Sequence, residues 1–506
     1  MEILNSSQMA KADSFAINEI GIPSSVLMEN AAITVTDEIL TRMPDIVSAA
    51  VVAGSGNNGG DGLAVARLLI NAGLACDVYM DCDESKLKGD CLLNYNILKN
   101  YNAPIFIIEG KEIPTFSDYD ITIDALFGTG LSRPLKGFYA ALVQRINLTS
   151  NFVVSLDIPS GLSGDTHNII GECVDADLTV TFARPKFPHI MFPAREMCGE
   201  VVVTDISIPD FAIDSAENSV YLLDEDTLPM IPPRETDSHK GHFGHAVITG
   251  GSQGKSGAVF IASRACARCG AGLTTTAIPG GLISAAEAVN PEIMSFATGK
   301  GTHFTSDTVS ELIDFVKDKT VCAIGPGIGK DKDTRDFVRE LVKQTKLPLV
   351  IDADGLNLLD ARSIKKLSGR AVLTPHIGEF AEMIGKTTEE VLSERLELAK
   401  VYAENNGVVL VLKSSDTLIA LPDGAVYVNI TGTPALSKGG SGDCLTGLIS
   451  AFISQRYDLA EAACLGTYIL GRTAEIISEE MNERTILTTD IIENIGKTLD
   501  ELAKNT

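Results

Sequence analysis

The sequence predicts two α/β domains, each built on a parallel sheet with helices on both faces. Two observations predict it. Apolar runs of strand length alternate with stretches of helical periodicity along the 506 residues, and runs buried on both faces with helices between them belong to parallel sheets. Polar, glycine-rich segments follow several of those runs directly, where open α/β sheets bind their ligands. A chain of this length has room for about two to four domains. The stretch 205–243, with Pro209, Pro229, Pro232 and Pro233 among acidic residues, has the composition of a boundary. It places a junction near residue 225, with domains over 1–220 and 226–506.

In the first half, Leu27, Ala31, Val35 and Ile39 recur at four-residue steps and predict an amphipathic helix. The run 46–53 is the first strand, and helical periodicity follows over 62–72. Further strands are expected at 77–80, 105–108, 121–123, 152–156 and 178–182. The second half repeats the pattern with strands at 246–249, 274–278, 321–324, 349–351, 371–373 and 408–412, and a helix-like stretch over 259–269.

Composition narrows the function. With 45% hydrophobic and 21% charged residues, extended disorder is not expected. The net charge of −26 disfavours nucleic-acid binding through a broad basic surface. An anionic substrate would need a local site of backbone N–H groups, helix ends or a metal. No run approaches the ~18 to 20 apolar residues of a membrane span, and the start Met1-Glu2-Ile3-Leu4-Asn5 lacks the features of a signal peptide. Ten scattered cysteines read as reduced thiols, so a cytoplasmic protein is expected. Cys266 and Cys269 form a lone CxxC in a helix-like stretch, without the second pair a zinc site requires. His239, His242 and His245 precede a strand, where no helix face aligns them as ligands. Gly254-Lys255-Ser256 fails as a phosphate-binding loop because Thr249 stands where that motif needs glycine.

Three clusters follow strands in the first half. In GSGNNGGDG, residues 54–62, glycines permit close backbone approach, and amides at a helix start can cradle phosphate. The same run also reads as a tight strand-to-helix turn. Asp124 ends the next strand, before Gly128-Thr129-Gly130, and Asp157-Ile158-Pro159-Ser160-Gly161 ends another. Loops after neighbouring parallel strands lie side by side, so Asn58, Asp124 and Ser160 could supply hard oxygen ligands for a cation. Asp157 is left for proton transfer, although either aspartate could simply cap a helix or turn.

These runs, with LMENA at 27–31 before them, resemble the NAD(P)H-hydrate epimerase domain of the YjeF N-terminal type over residues 1–215. The resemblance implies a Rossmann-like fold that binds NADHX or NADPHX, the hydrated reduced nicotinamide cofactors. It implies that the hydrate meets Asn57, Asn58, Gly59, Gly60, Asp61, Gly128, Thr129, Gly130, Leu131, Ser132, Arg133, Pro134, Tyr139 and Asp157. It further implies that Asn58, Asp124 and Ser160 bind potassium (K+), with Asp157 as the catalytic acid/base.

In the second half, Gly325-Pro326-Gly327 follows one strand, Asp352-Ala353-Asp354-Gly355 another, and Thr374-Pro375-His376 a third. Lys438-Gly439-Gly440-Ser441-Gly442-Asp443 opens an apolar helix. Such a turn presents N–H groups and the positive helix end to an anion. Asp443 could deprotonate a hydroxyl there, or merely cap the helix. Lys438 adds charge beside the turn or faces solvent.

In order, HKGHFG, GPG, DADGLN, TPHIGEF and GGSGD resemble the ADP-dependent NAD(P)H-hydrate dehydratases, of the ribokinase-like superfamily, over 228–500. The resemblance implies that Ala258, Gly327, His376 and Asp443 contact the S hydrate. The nucleotide would meet Lys413, Ser414, Ser415, Asp416, Thr417, Gly439, Gly440, Ser441 and Gly442. Magnesium (Mg2+) would bridge the phosphates of ADP, and Asp443 would be the catalytic base. Lys413-Ser414 departs from the Lys-Gly frequent in that family. The fold class so reached is an N-terminal Rossmann-like domain plus a C-terminal ribokinase-like α/β domain. Small-molecule partners NADHX, NADPHX and ADP are expected, with neither nucleic acid nor membrane, in a homo-oligomer. The alternative is a ribokinase-like small-molecule kinase fused to a non-catalytic binding domain.

Overall fold

The computed structural model describes residues 1–108 and 112–504. The chain forms two compact units, Glu2–Val220 and Tyr221–Thr506, the second including Met1.

The first unit carries strands β1 (Ser48–Ala53), β2 (Ala75–Met80), β3 (Ile105–Ile107), β4 (Ile121–Ala125), β5 (Val153–Leu156), β6 (Leu178–Phe182) and β7 (Glu200–Thr204). They pair in parallel in the order β3-β2-β1-β4-β5-β6-β7. This is a Rossmann-like order, and it reverses between β1 and β4, which opens a crevice at their carboxyl ends. The predicted amphipathic helix spans Ser24–Arg42 and buries Leu27, Ala31, Val35 and Ile39.

One expectation is corrected. The helix after β1 spans Asn57–Asn71 instead of beginning at residue 62, so most of the glycine run is helix. A Cβ on Gly59 would lie 1.8 Å from the Gly54 carbonyl oxygen, and one on Gly62 would lie 2.4 Å from the Ala125 Cβ. These glycines seat the helix directly on the ends of β1 and β4. The edge strand β7 was not expected, because its half-exposed EVVVT lacks the double-sided burial that marks interior strands.

The second sheet carries β8 (Val220–Leu222), β9 (His245–Thr249), β10 (Leu273–Pro279), β11 (Met294–Thr298), β12 (Val321–Ile324), β13 (Leu349–Ile351), β14 (Ala371–Leu373), β15 (Val409–Leu412), β16 (Thr417–Ala420) and β17 (Val426–Asn429). Their order is β11-β10-β9-β12-β13-β14-β15-β16-β17-β8. Pairing is parallel from β11 to β15, and β16 and β17 add on antiparallel. The order reverses between β9 and β12. The edge strands β8 and β11 and the interior antiparallel strands β16 and β17 were not expected from the sequence.

Helices Ser256–Arg268 and Ser441–Ser454 meet at Gly447, where a Cβ would lie 2.2 Å from the Ala262 carbonyl oxygen. Cys266 and Cys269 are buried in this unit's apolar core. All ten cysteines are unpaired and buried. Among the described residues no helix is long and apolar enough to cross a membrane.

Candidate active sites

A cavity of about 740 Å³ opens at the carboxyl ends of the first sheet. The helix Asn57–Asn71 contributes Asn57, Asn58 and Asp61, and the loop after β4 contributes Gly128, Thr129, Gly130 and Leu131. Asp157, the first residue after β5, also lines it.

The Asp157 backbone is left-handed, φ +62°, a conformation that costs a non-glycine residue about 1–3 kcal/mol. Its carboxylate Oδ1 accepts from Lys186 Nζ at 2.6 Å and Thr181 Oγ1 at 3.0 Å. Lys186 is 1% exposed, and its ammonium also donates to Thr181 Oγ1 and the Phe182 carbonyl. Burial alone would raise the Asp157 carboxyl, but the Lys186 charge and hydrogen bond hold it below its usual range. His189 accepts the Lys186 backbone N–H at Nδ1. Burial and the Lys186 charge push its imidazole down to about 3, so it is neutral.

Two further carboxyls shift the other way. Burial, followed by the charges of Asp157, Asp13 and Asp90, pushes Asp61 well above the carboxylate range. Burial raises Asp13 to about 6, against the pull of Lys186. Asp13, Asp90 and Lys186 line this cavity, yet sequence reasoning missed all three. Lys186 follows β6 by four residues, so the strand-end rule that found Asp157 could have found it. Asp13 carries no such signal, because it reaches in from the helix Ser6–Phe15.

Other expected residues stand elsewhere. Gly59 and Gly60 serve packing, and a Cβ on Gly60 would lie 2.7 Å from Met28 Cε. Ser132, Arg133 and Pro134 are exposed, outside the cavity lining. Tyr139 stacks edge-on against Phe127 and donates to Asp81 at 3.1 Å.

Asn58, Asp124 and Ser160 do come together. Ser160 Oγ donates to Asp124 Oδ1 at 2.6 Å, and its N–H to Oδ2 at 2.8 Å. Asn58 Nδ2 donates to the Phe127 carbonyl, while its Oδ1 is buried without a partner among the described residues. Asp124 is fully buried, which raises its carboxyl despite these hydrogen bonds. An orphaned amide oxygen beside a buried carboxylate, a hydroxyl and a carbonyl is the donor chemistry that suits a hard cation.

In the second unit, three adjacent strands each deliver the residue that follows them. Asp352 follows β13, Thr374 follows β14 and Lys413 follows β15. Asp352 Oδ1 accepts from Thr374 Oγ1 and Lys413 Nζ, each at 2.8 Å. A Cβ on Gly442 would lie 3.1 Å from Lys413 Nζ and 3.7 Å from Asp352 Oδ2. The helix Ser441–Ser454 starts from Gly440, whose φ of +101° is left-handed, with no side chain capping its first amides. Asp443 lies in that first turn and is not its cap. Burial and the neighbouring Asp352 push its carboxyl up to about 7, opposed by Lys413. That suits proton transfer near neutrality.

Gly327 and Ala258 are neighbours where the strand order reverses, since a Cβ on Gly327 would lie 3.1 Å from the Ala258 Cβ. His376 caps the helix Ile377–Ile384, with Nδ1 accepting from the N–H groups of Gly378 and Glu379, and its ring is exposed. Asp416 is fully buried, and its carboxylate takes the Arg395 guanidinium through both oxygens. Ser414 and Thr417 hydrogen-bond to each other's turn, and Ser415 Oγ donates to Asp416. Lys438 neither faces solvent nor an anion site: Nζ donates to the carbonyls of Glu483, Arg484 and Ile486. Gly439 accepts from Thr488 through its carbonyl, and Ser441 Oγ is buried without a partner among the described residues.

Comparison with known proteins adds two family matches. A family described as NAD(P)H-hydrate dehydratase matches residues 246–497, and one described as YjeF-related protein N-terminus matches 24–187. The chain is 35% identical over 516 residues to the bifunctional NAD(P)H-hydrate repair enzyme Nnr of Moorella thermoacetica, covering 99% of this chain and 97% of that one. It is 34% identical to the enzyme of the same name from Thermofilum pendens, over 100% of this chain and 97% of that one. A solved ADP/ATP-dependent NAD(P)H-hydrate dehydratase from Bacillus subtilis, co-crystallised with ATP and Mg2+, superposes with a TM-score of 0.49 at 28% identity. It covers 56% of this chain and 99% of that chain.

Proposed function

The chain belongs to the bifunctional NAD(P)H-hydrate repair enzymes, and from that premise we propose how its two units divide the repair. The first interconverts the R and S hydrates of NADH and NADPH at C6. The second dehydrates the S hydrate with ADP, giving AMP, phosphate and the reduced cofactor. The observation that carries this reading is the full-length match, joined to a carboxyl near neutrality at each strand-end site.

In the second site, Asp443 takes the proton of the C6 hydroxyl as its oxygen attacks the β-phosphoryl of ADP. The C6–O–P link forms and AMP leaves. The free first-turn amides at Gly442 and Asp443 stabilise the transferring charge. The ring-nitrogen lone pair then expels phosphate from C6, and loss of a C5 proton restores the dihydropyridine. Lys413 neutralises phosphate charge and, through Asp352, is held in register with Asp443. Among the described residues Asp352 Oδ2 has no hydrogen-bond partner, and Mg2+ commonly binds one or two carboxylates together with phosphates, so Asp352 would help hold that ion. Mg2+ would supply charge neutralisation on the phosphates. In the first site, Asn58, Asp124, Ser160 and the Phe127 carbonyl would hold K+, which would balance the buried Asp124 charge and fix the loop after β4. Buried, unpaired thiols fit a cytosolic setting, and a homo-oligomer is part of the proposal.

The test follows dihydropyridine absorbance in a mixture of R- and S-NADPHX with ADP, Mg2+ and K+, with ATP in parallel. Full recovery, biphasic when epimerisation is slower, is expected. No recovery with either nucleotide would overturn the dehydratase in favour of a kinase. Recovery that stops at the S fraction, apart from spontaneous epimerisation, would overturn the epimerase.

A further inference from the structure

The first cavity holds more acid than one acid/base requires. Asp13, Asp61, Asp90 and Asp157 all line it, with Lys186 as its cation. They come from different elements: Asp13 from the helix Ser6–Phe15, Asp61 from Asn57–Asn71, Asp90 from Gly89–Asn100, and Asp157 from the end of β5. Their hydrogen bonding separates them. Asp157 is bound by Lys186 and Thr181, whereas among the described residues the side chains of Asp13 and Asp61 have no hydrogen-bond partner. Asp157 is therefore fixed as an anion and badly placed to trade a proton.

We propose that Asp13 is the catalytic proton-transfer group of the first site, while Asp157, pinned by Lys186, remains a carboxylate that stabilises the cationic ring. This rests on the epimerase reading of the first unit. The chemistry balances. The Asp13 carboxyl gives its proton to the C6 hydroxyl, the C6–O bond breaks, and water departs as the ring-nitrogen lone pair forms the C6=N1 iminium. Water then adds to the other face of C6, and Asp13 takes a proton back. Nothing is oxidised or reduced, and only the configuration at C6 changes.

The surroundings suit that division. Asp13 titrates at about 6, so it can both give and regain a proton near neutrality. Asp61 is pushed well above the carboxylate range by burial and by the charges of Asp157, Asp13 and Asp90. The groups facing Asp13 are Lys186, which favours its anion, Asp157, which disfavours it, and Asp61, whose own ionisation the Asp13 charge opposes. His189, next to Lys186, is neutral. On the helix Asp210–Asp214, packed against Asp13's own helix through Phe15 and Phe211, Asp210 is paired with Arg184. On Asp13's own helix, Lys11 is paired with Glu217.

The experiment measures epimerisation of R-NADPHX by the full-length protein across pH 5 to 9. In the wild type, kcat/KM should fall as pH rises through the Asp13 value. Asp13→Asn should lose about 100-fold or more, as removal of a general acid does, without change in its thermal unfolding midpoint. Asp13→Glu should recover part of the rate and move the pH limb. An Asp13→Asn protein that keeps more than a third of the rate overturns the proposal. So does an Asp13→Glu protein whose limb has not moved. A wild type that does not epimerise R-NADPHX overturns the epimerase reading itself, a result distinct from either variant outcome.

Discussion

Asp157 and Asp443 both sit at the carboxyl edge of a parallel sheet, and their neighbours drive them apart. Asp157 meets an ammonium at 2.6 Å and ionises easily. Asp443 is buried beside another carboxylate and holds its proton to about pH 7. As a base Asp443 works only when ionised, so dehydration should fall as pH drops below that value, about tenfold per unit. Its neighbours set the position of the limb. Asp352→Asn removes a repelling charge and should move the limb to lower pH, whereas Lys413→Met removes an attracting one and should move it up. Profiles of kcat/KM for S-NADPHX check both signs. Shifts in the same direction would refute this account of the site. Asp416 shows a carboxylate with another task. Arg395→Ala leaves it buried without its counter-charge, and denaturant unfolding should report a loss of about 3–5 kcal/mol.

At the scale of elements, two helices are placed by glycines that admit no side chain. In an ordinary helix interior, alanine would stabilise by about 1 kcal/mol. At Gly447 it should destabilise by about 1–3 kcal/mol instead, because its Cβ would meet the Ala262 carbonyl at 2.2 Å. The helix that carries Asp443 would be pushed from its neighbour, so dehydratase activity should fall while epimerase activity holds. Equal loss of both activities would contradict this. These glycines also explain what the sequence could convey. Interior strands such as β6 and β12 were legible to the residue, since both faces are buried. The start of the helix Asn57–Asn71 was not, because glycine usually reads as a loop, and here it is a close-contact surface within a helix. Edge strands such as β7 escaped because one face meets water.

Over the whole molecule, the strand-end rule located Asp124, Asp157, Asp352 and Thr374, because a parallel sheet gathers residues distant in sequence at one edge, and the family resemblance added Lys413 beside them. It could not find Asp13, which enters from a helix outside that edge, nor foresee that Arg395 occupies Asp416. Net charge acts at this scale too. A chain of −26 repels phosphorylated substrates, so at fixed K+ and Mg2+ added tetramethylammonium chloride should raise kcat/KM for ADP about twofold or more. A fall would show that local cationic groups dominate capture. Buried thiols give the chain a further property. Five lie in each unit: Cys76, Cys82, Cys91, Cys173 and Cys198 in the first, and Cys266, Cys269, Cys322, Cys444 and Cys464 in the second. Each becomes open to alkylation only when its surroundings open. Pulsed labelling followed by peptide mass analysis would therefore read the opening of each half separately in the intact chain, so the sequence carries its own clock for which catalyst is lost first on heating.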